Sequence, residues 1–514
     1  MQDDRGSPSD RNSRRRPSPR KRLALSLLLP ACAGGLFALA ATVTLAPTPA
    51  RAACTISGGG TIQTCTGDES GGVAVNNGSG GTIGTLDVNS LTTNITPPSG
   101  TNGLRLTSQG VNGSDGSDGS TAGSAGHPNP GIDLLLTYTQ PGANVSVSNS
   151  GAIITTSADG IFVRSQGGHG GDGGDATGAG NDGHGGTNGG AGGDVTIQIN
   201  GAISASGNSL PAIVAASIAG YGGNGGDSAS GNPGNGGAGG VGGNVSVTAS
   251  GTIVSTGDDS GGINAISRGG AAGTHGGCTF DCGNTHTGAS AAGGQVTVTT
   301  TAGTSITTDG EYANGIYATS IGGFGATGAA SVGIVAYASN GTSGGPGGLV
   351  TVMNAATITT LQEGSYGIFA QSIGGGGGGG GSAGGIVSVG GHGAAGGPGG
   401  QVVVNNSGII TTSAEASIGI FAQSVGGSGG DGGKSAGISS VGGNGAGTSD
   451  GDTVVVTNTA LISTQGASSQ GIFAQSIGGG GGNGGRSVGL SSVGGSGGGG
   501  GDGELVTVTN SGVI

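Results

Sequence analysis

The sequence predicts an all-β protein, a right-handed parallel β-helix (a solenoid) of about 50–53-residue repeats with Gly-rich loops. Three observations predict this fold class: a composition dominated by Gly, a repeat of nearly constant length, and alternating apolar residues within each repeat. The chain has 514 residues, of which 133 are Gly, with 8% charged residues and no Trp. Collagen is excluded because 15 Pro residues cannot supply Gly-X-Y triplets. Large apolar side chains are too few to close several compact enzyme-like cores.

The first element is a leader over residues 1–52 with the pattern of a secretory signal peptide. Basic runs lie at 14–16 and 20–22, an apolar stretch follows at 23–46, and Ala50-Arg51-Ala52 has the form of a cleavage site. The apolar stretch is long enough for an anchored transmembrane helix, but the Pro and Gly inside it and the cleavage site disfavour that alternative. We expect an exported mature chain that begins at Ala53.

Removal of the leader makes the chain strongly acidic. Residues 1–52 carry nine basic and three acidic residues, so the formal net charge changes from −13 to −19. An acidic body with few Lys residues repels phosphates, which excludes nucleic acid as a partner. It favours solubility and mutual repulsion outside the cell.

Residues 145–514 are predicted to be solenoid repeats, seven full copies and the start of an eighth. An Ile follows each Val-rich strand, in steps of 50, 50, 53, 52, 52, 52 and 52 residues. These positions are Ile153, Ile203, Ile253, Ile306, Ile358, Ile410, Ile462 and Ile514. A second Ile, usually preceded by Gly, gives the same period. It occupies Ile161, Ile213, Ile263, Ile316, Ile368, Ile420 and Ile472.

Each repeat opens with an alternating apolar pair that predicts a strand with one buried face. The pairs run from Val145/Val147 to Val506/Val508. A turn follows, with Asn four residues before the first marker Ile in five of eight units, and stacked Asn would form amide ladders. These positions are Asn149, Asn354, Asn406, Asn458 and Asn510.

The strand that starts at the second marker Ile shows the predicted geometry best. Ser stands four residues after this Ile in all seven copies, and Ala stands two after it in six, so Ile, Ala and Ser share one face, which we predict to point inward. The opposite face carries aromatic residues and Gln, as at Phe369 and Gln371. Stacking about 4.8 Å apart would turn these into ladders.

A single repeat cannot be stable alone, because its few buried apolar residues do not offset the backbone entropy of about 50 residues. Stacking shares strand hydrogen bonds and buried partners between copies. We expect the Gly tracts to contribute least and to remain mobile loops. Residues 53–144 are expected to form an N-terminal cap or degenerate first rungs, with strand-like pieces at 86–88 and 134–136 and a Ser/Gly-rich loop at 113–126.

The run Gly471-Ile472-Phe473-Ala474-Gln475-Ser476-Ile477 with its Gly tail recurs at 367–373 and 419–425. Together with Val-Thr-Val-Thr-Asn-Ser-Gly at 506–512, it resembles the Gly-rich passenger repeats of Gram-negative autotransporters. The resemblance covers about residues 145–514, and the long basic leader is similar to the extended signal peptides of that class. It implies export to the periplasm and passage across the outer membrane through a C-terminal β-barrel. No amphipathic membrane strands follow the repeats here, so we interpret the chain as a fragment without its translocator barrel.

The resemblance sets the expected location and partners. A complete protein would lie at the cell surface or in association with the outer membrane, and this fragment would be periplasmic or secreted. The expected partners are the secretion machinery for inner-membrane export and host-surface, matrix or self-association contacts. The outer membrane would be a partner only through the missing barrel.

The sequence predicts no catalytic residue and no cofactor. The recurrent Ser is interpreted as architectural, because no His or Asp accompanies it at fixed spacing. A cluster of His275, Cys278, Cys282 and His286 could hold zinc. An oxidising compartment favours disulfides instead, with Cys54–Cys65 and Cys278–Cys282 as local candidates, and free thiols as a further alternative.

Three hypotheses about function follow. The leading one is a non-enzymatic exported surface protein that acts as an adhesin or a structural stalk. The second is a β-helix enzyme acting on polysaccharide, which needs clustered carboxylates on neighbouring rungs; the acidic residues lie scattered in loops, as at Asp258 and Asp259. The third is a disordered Gly-rich surface protein.

Overall fold

A computed structural model describes residues 53–57, 62–67, 69–77, 85–91, 94–110, 112–118, 145–156, 158–176, 182–229, 231–278 and 288–514. The predicted leader lies outside these residues, as do residues 134–136. Residues 49–514 belong to one compact unit. Every regular element in the described part of the chain is a β-strand, and most strands pair in parallel across repeats. The arrangement is that of a β-helix-like solenoid, as the alternating apolar residues predict.

The largest sheet, sheet A, has sixteen strands among the described residues. Its N-terminal strands are Ala53–Ser57, Ile62–Gly67, Thr85–Leu91, Val145–Thr156 and Val195–Ser206. Beyond these, each repeat contributes two shorter strands in place of one long strand. The first column is Val245–Ser250, Val296–Thr300, Val350–Asn354, Val402–Asn406, Val454–Asn458 and Val506–Asn510. The second column is Thr252–Thr256, Ser305–Asp309, Thr357–Thr360, Ile410–Thr412 and Ile462–Thr464.

Sheet B has nine strands in the described part of the chain and contains the second marker Ile of each repeat. Its strands are Val73–Asn77, Leu104–Gln109, Ile161–Gln166, Ile213–Ile218, Ile263–Arg268, Ile316–Ile321, Ile368–Ile373, Ile420–Val425 and Ile472–Ile477. The described strands before residue 110 therefore contribute early rungs to both sheets, since Thr85–Leu91 pairs with Val145–Thr156 and Leu104–Gln109 pairs with Ile161–Gln166.

Matching positions of successive repeats face one another directly. Ile263 pairs with Ile213 on one side and Ile316 on the other, and Ile306 pairs with Ile253 and Ile358. One marker was assigned wrongly from the sequence: the backbone register pairs Ile154, not Ile153, with Ile203. An irregularity in the pairing between residues 150 and 153 shifts this strand by one residue.

The core is a column of β-branched and small side chains between sheets A and B. The predicted inward face of sheet B is confirmed, since Ile368, Ala370 and Ser372 are fully buried and Phe369 and Gln371 are only partly covered. The Val pairs of sheet A are buried in the same way, as at Val402 and Val404. Burying these side chains supplies the main favourable free energy of the stack.

The Gly tracts form a second ordered layer, which contradicts the expectation of mobile loops. Each tract runs away from sheet B and returns to sheet A as two extended segments, for example 374–382 and 390–401. The backbone amide of every third residue donates a hydrogen bond to the next repeat. Gly374, Gly377 and Gly380 donate in this way to the carbonyls of Val425, Ser428 and Asp431, at 2.8–2.9 Å. This three-residue period is that of a polyproline II helix, which has no internal hydrogen bonds. We call the stacked segments the glycine layer.

A second set of backbone amides joins the segments that leave sheet B (outgoing segments) to the segments that return to sheet A (returning segments). Gly397 donates to Gly375, and Gly375 donates to Gly345 of the preceding repeat, each at 2.8 Å. Carbonyls therefore approach neighbouring Cα atoms so closely that a Cβ at Gly375 would lie 1.9 Å from the oxygen of Gly323. None of the described glycines with positive φ lies in the layer, so these positions need Gly for space and not for conformational freedom.

Residues 112–118 of the predicted Ser/Gly-rich loop belong to the same layer. Gly113 and Gly116 donate to the carbonyls of His169 and Asp172 at 2.7 Å. The remainder of that predicted loop lies outside the described residues.

A third, small sheet closes the far end of the glycine layer in the last four repeats, and we call it the tip sheet. The tip sheet is not among the elements predicted from the sequence. Its strands are Ser331–Tyr337, Ala383–Val389, Ser435–Ala436, Ser439–Val441, Ser487–Val488 and Ser491–Val493, all paired in parallel. Cys278 extends this column through an isolated bridge to Ser331.

Candidate interaction surface

The recurrent Ser of sheet B links that sheet to the glycine layer. The Ser320 hydroxyl donates to the carbonyl of Gly294 at 2.7 Å and accepts from the amide of Gly348 at 2.8 Å. Ser372 makes the same two contacts with Gly348 and Gly400. Each hydroxyl thus donates one hydrogen bond and accepts one, and both partners are backbone groups of the glycine layer. This geometry fits the architectural interpretation and provides no base to activate a nucleophile.

The predicted Asn ladder is present from Asn354 to Asn510, and its first three members are buried. The Asn354 amide donates to the side-chain oxygen of Asn406, Asn406 donates to Asn458, and Asn458 donates to Asn510, each at 2.7 Å. The ladder begins one rung earlier, where the Thr300 hydroxyl donates to Asn354 at 2.6 Å. Because buried polar groups must be paired, this ladder fixes the register of sheet A but offers no surface to a partner.

The predicted aromatic ladder lies on the outward face of sheet B. Tyr317, Phe369, Phe421 and Phe473 stack with ring centroids 4.9, 4.8 and 5.4 Å apart. Tyr366 stacks against Phe369 and Phe421 from the side. Beside it, Gln side chains are bonded from rung to rung, in the order Gln371, Gln423 and Gln475. Most ring faces are covered by neighbouring rings, so a ligand would meet the ring edges.

The outward positions of the glycine layer carry polar side chains that satisfy backbone amides. His169 accepts a hydrogen bond at Nδ1 from the amide of Tyr221, 3.0 Å away, and the two rings stack at 4.9 Å. Asp172 and Asp175 accept from the amides of Asn224 and Asp227 in the same way. Burial lowers the pKa of His169, which keeps the ring neutral so that Nδ1 can accept. Every third side chain therefore completes the layer's hydrogen bonding.

Four carboxylates that seem scattered in the sequence lie on neighbouring rungs. The amides of Asp259, Tyr312 and Gly364 donate to the carbonyls of Glu311, Glu363 and Glu415. This register aligns Asp258, Glu311, Glu363 and Glu415 along one exposed turn. No sequence pattern marks this column, because its acidic residues differ in type and local context. Like charges at this spacing repel one another.

In the tip sheet the small side chains are buried and the large apolar side chains are exposed, which is the reverse of sheets A and B. Its buried positions are Ser or Ala, such as Ser331, Ser388 and Ser440. Its exposed positions carry large apolar side chains, with Leu490 91% and Ile334 71% exposed. The exposed set is Val332, Ile334, Val335, Tyr337, Ile386, Val387, Ile438, Val441, Val488, Leu490 and Val493. Exposed apolar side chains that form a continuous patch mark an interaction site, whereas scattered ones need no explanation.

The regularity of this patch is set by the repeat. Ile334, Ile386, Ile438 and Leu490 occupy matching positions on four successive rungs, next to a column of glycines that includes Gly385 and Gly437. We call these four residues the tip ladder. The equivalent ends of the earlier repeats lie at 177–181, 230 and 279–287, outside the described residues.

No protein-family model, no curated protein and no solved structure matched this chain.

The predicted cysteine and histidine sites are only partly within the described residues. Cys54 and Cys65 form a disulfide between adjacent antiparallel strands. Cys278 is also disulfide-bonded, which removes its thiolate from the set that could ligate zinc. His275 is buried in the glycine layer, with Nδ1 3.3 Å from the carbonyl oxygen of Gly234. Cys282 and His286 lie outside the described residues.

A shallow groove of about 310 Å³ follows the exposed side of the turn next to the Asn ladder. Met353, Asn405 and Thr457 line it on successive rungs. It is an open furrow along the repeat, and its lining contains no titratable side chain. No helix occurs among the described residues that is long and apolar enough to cross a membrane.

Proposed function

We propose that this chain is a non-enzymatic, exported surface protein, an autotransporter-type passenger that acts as an adhesin or a structural stalk. The fold we propose for it is a right-handed parallel β-helix with repeats of about 50–53 residues. Right-handed connection is the general rule for parallel strands joined within one sheet. The leader pattern and the GIFAQSIGGGG-type repeats support export and the passenger role.

One observation carries the proposal: the side chains outside the core recur in ladders along the stack. An extended, repetitive surface suits many weak contacts with another surface, while a catalytic pocket needs unlike groups held in one place. The aromatic ladder, the carboxylate column and the tip ladder are all of the repetitive kind. The continuous sheets and the bonded glycine layer run counter to the alternative of a disordered Gly-rich protein.

The aligned carboxylates keep the polysaccharide-active alternative open to test. Asp258, Glu311 and Glu363 stand on successive rungs, which is the arrangement that this class of enzyme requires. They lie on an exposed turn, however, where water reaches all three carboxylates.

The function is tested by coating beads with the purified chain and measuring their attachment to epithelial cells, to extracellular matrix proteins and to each other. We expect attachment well above that of beads coated with albumin. The same preparation is incubated with a panel of glycans, where we expect no cleavage. Turnover of a glycan that is abolished by Glu311→Gln and Glu363→Gln would replace this proposal with the enzymatic one.

A further inference from the structure

The tip ladder is the part of the surface whose chemistry the fold leaves unexplained. The inner side of the tip sheet packs against the ends of the glycine layer, where only Ser and Ala fit, so large side chains can only point outward. Nothing in that packing requires them to be apolar, because Ser or Thr would form the same strands. Nine large apolar side chains of the tip strands are solvent-exposed, as are Ile438 and Leu490 between the short strands. Exposing such an apolar surface to water costs free energy, so covering it with another apolar surface is favourable.

We propose that the tip sheet is a self-association surface, on which a second copy of this chain pairs across a twofold axis. The inference names a partner for the surface role proposed above and rests on that role for its biological purpose. Pairing itself is a property of the purified chain and is measured without cells.

The available area fits a stable dimer. The eleven exposed side chains offer on the order of 1,000 Å² of surface per copy, against about 800 Å² per partner in a standard interface. Leu490, Ile334 and Tyr337 are the most exposed of the larger side chains and would be the anchors. Apolar anchors in the centre of an interface contribute most of the binding free energy.

The shape of the ladder is complementary to itself. Side chains on successive rungs are spaced by one strand separation, about 4.8 Å, so the ridge has the same period in every copy. When the twofold axis is perpendicular to the stack, the ladder of one copy runs antiparallel to that of the other, with Ile334 facing Leu490 and Ile386 facing Ile438. Equal periods let each ladder side chain of one copy contact one of the other copy over all four rungs.

Charge favours a protein partner over a membrane. Only two basic residues flank the tip strands, Lys434 before Ser435–Ala436 and Arg486 before Ser487–Val488, and the sequence has no other Lys or Arg beyond residue 268. Segments that bind anionic membranes carry clusters of about four to eight Lys or Arg. Both copies carry a net negative charge. Because salt screens their mutual repulsion, pairing should strengthen as the salt concentration rises.

The test is sedimentation velocity of the full chain at several concentrations in 50 and 500 mM NaCl. We expect a dimer that tightens at the higher salt. A tip variant, Ile386→Ser with Ile438→Ser and Leu490→Ser, should raise the dimer dissociation constant at least about 100-fold. A matched control, Met353→Ser with Leu361→Ser and Leu461→Ser, removes three exposed apolar side chains elsewhere on the surface and should dimerise like the wild type. Equal circular dichroism spectra establish that all three chains are folded.

Two results would overturn the pairing. One is a wild-type chain that stays monomeric at 100 μM, and the other is a tip variant that dimerises as tightly as the wild type. A monomeric wild type that binds phosphatidylcholine vesicles through the tip would assign the surface to lipid instead. Bead attachment to cells or matrix that persists in the tip variant leaves the adhesive role standing, so failure of the pairing is distinguishable from failure of the proposed function.

Discussion

At the scale of the residue, the turn after the second strand column of sheet A shows how the stack imposes one backbone conformation on different side chains. Ser209, Asp259, Tyr312, Ala416 and Ser468 all have φ between 52° and 58°, and Gly364 has φ of 65° at the matching position. The left-handed conformation costs a non-Gly residue about 1–2 kcal/mol. The following rung holds the turn in this shape through a hydrogen bond from the amide of this residue, as at Ser209, Asp259, Tyr312, Gly364 and Ala416.

We expect Ala416→Gly to stabilise the repeats around it by about 0.5–1 kcal/mol, because Gly adopts positive φ without strain. Gly364→Ala should have the opposite effect, since its Cβ would also lie 2.6 Å from the ring of Tyr312. Thermal unfolding followed by circular dichroism measures both variants. The interpretation is contradicted if both changes shift the midpoint in the same direction.

Asp159 provides a second prediction at this scale. It is 9% exposed, lies between Arg105 and Asn102, and burial raises its pKa from 3.8 to about 6 against the opposing effects of both neighbours. The folded chain therefore binds this proton more tightly than the unfolded chain. Proton binding at Asp159 adds to the free energy of unfolding. This contribution is complete below pH 3.8 and is lost as the pH rises through about 6.

Asp159→Asn should remove this pH dependence and stabilise the first rungs at pH 7.5 by up to about 2 kcal/mol. Hydrogen exchange of the peptide that contains Gly103, whose amide donates to the Asp159 carbonyl, measures the effect at pH 5 and pH 7.5. Equal protection of wild type and variant at both pH values, after correction for intrinsic rates, would refute it.

At the scale of the element, the glycine layer assigns different roles to adjacent glycines. The column that contains Gly323, Gly375 and Gly427 is Gly in every repeat from residue 168 to residue 479, and its members face the carbonyls of the preceding rung. The next position is outward and holds His169, Tyr221 or Phe324 in other repeats. The layer therefore tolerates large side chains at one position in three and none at this inner column.

Gly375→Ala and Gly376→Ala form a matched pair for this claim. The Cβ at residue 375 would lie 1.9 Å from a backbone oxygen, whereas the nearest atom to a Cβ at residue 376 is 3.4 Å away. We expect the first change to destabilise the layer by about 2–3 kcal/mol or more and the second to leave it unchanged or slightly more stable. Limited proteolysis and thermal unfolding compare the two, and similar losses in both variants would argue against the layer.

At the scale of the whole molecule, stability belongs to the stack and not to any single repeat. Each rung bonds only to its neighbours, so the free energy is approximately a sum of repeat and interface contributions. The last repeats share one length of 52 residues and align residue by residue, from Ile368 with Ile420 to Ser372 with Ser424. A repeat of this kind is a unit that can be removed.

Deletion of residues 368–419 joins Gly367 to Ile420 and removes one full repeat. We expect a soluble chain with an unchanged β spectrum and a slightly lower unfolding midpoint. Deletion of residues 368–420 joins Gly367 to Phe421, and the one-residue slip turns the inward face of sheet B outward. This second chain should be digested rapidly by protease; if it is as resistant as the first, register is not what holds the repeats together.

The sequence by itself determined the repeat, the strand faces and the ladders. An apolar residue at every second position and a motif at every 50 to 53 residues leave one consistent arrangement, in which equal residues stack. The Asn and aromatic ladders follow from that stacking alone, because they need only the repeat and the choice of face.

Only the tertiary structure decided what the Gly tracts, the carboxylates and the tip do. The glycine layer depends on how near outgoing and returning segments lie, a distance that no local propensity encodes, although the Gly-Gly-x pattern at 167–175 carries its three-residue period. The alignment of Asp258 with Glu311 depends on a 53-residue step between unlike residues. The tip ladder was hidden because apolar residues in a strand predict burial, and here the side that is buried admits only Ser and Ala.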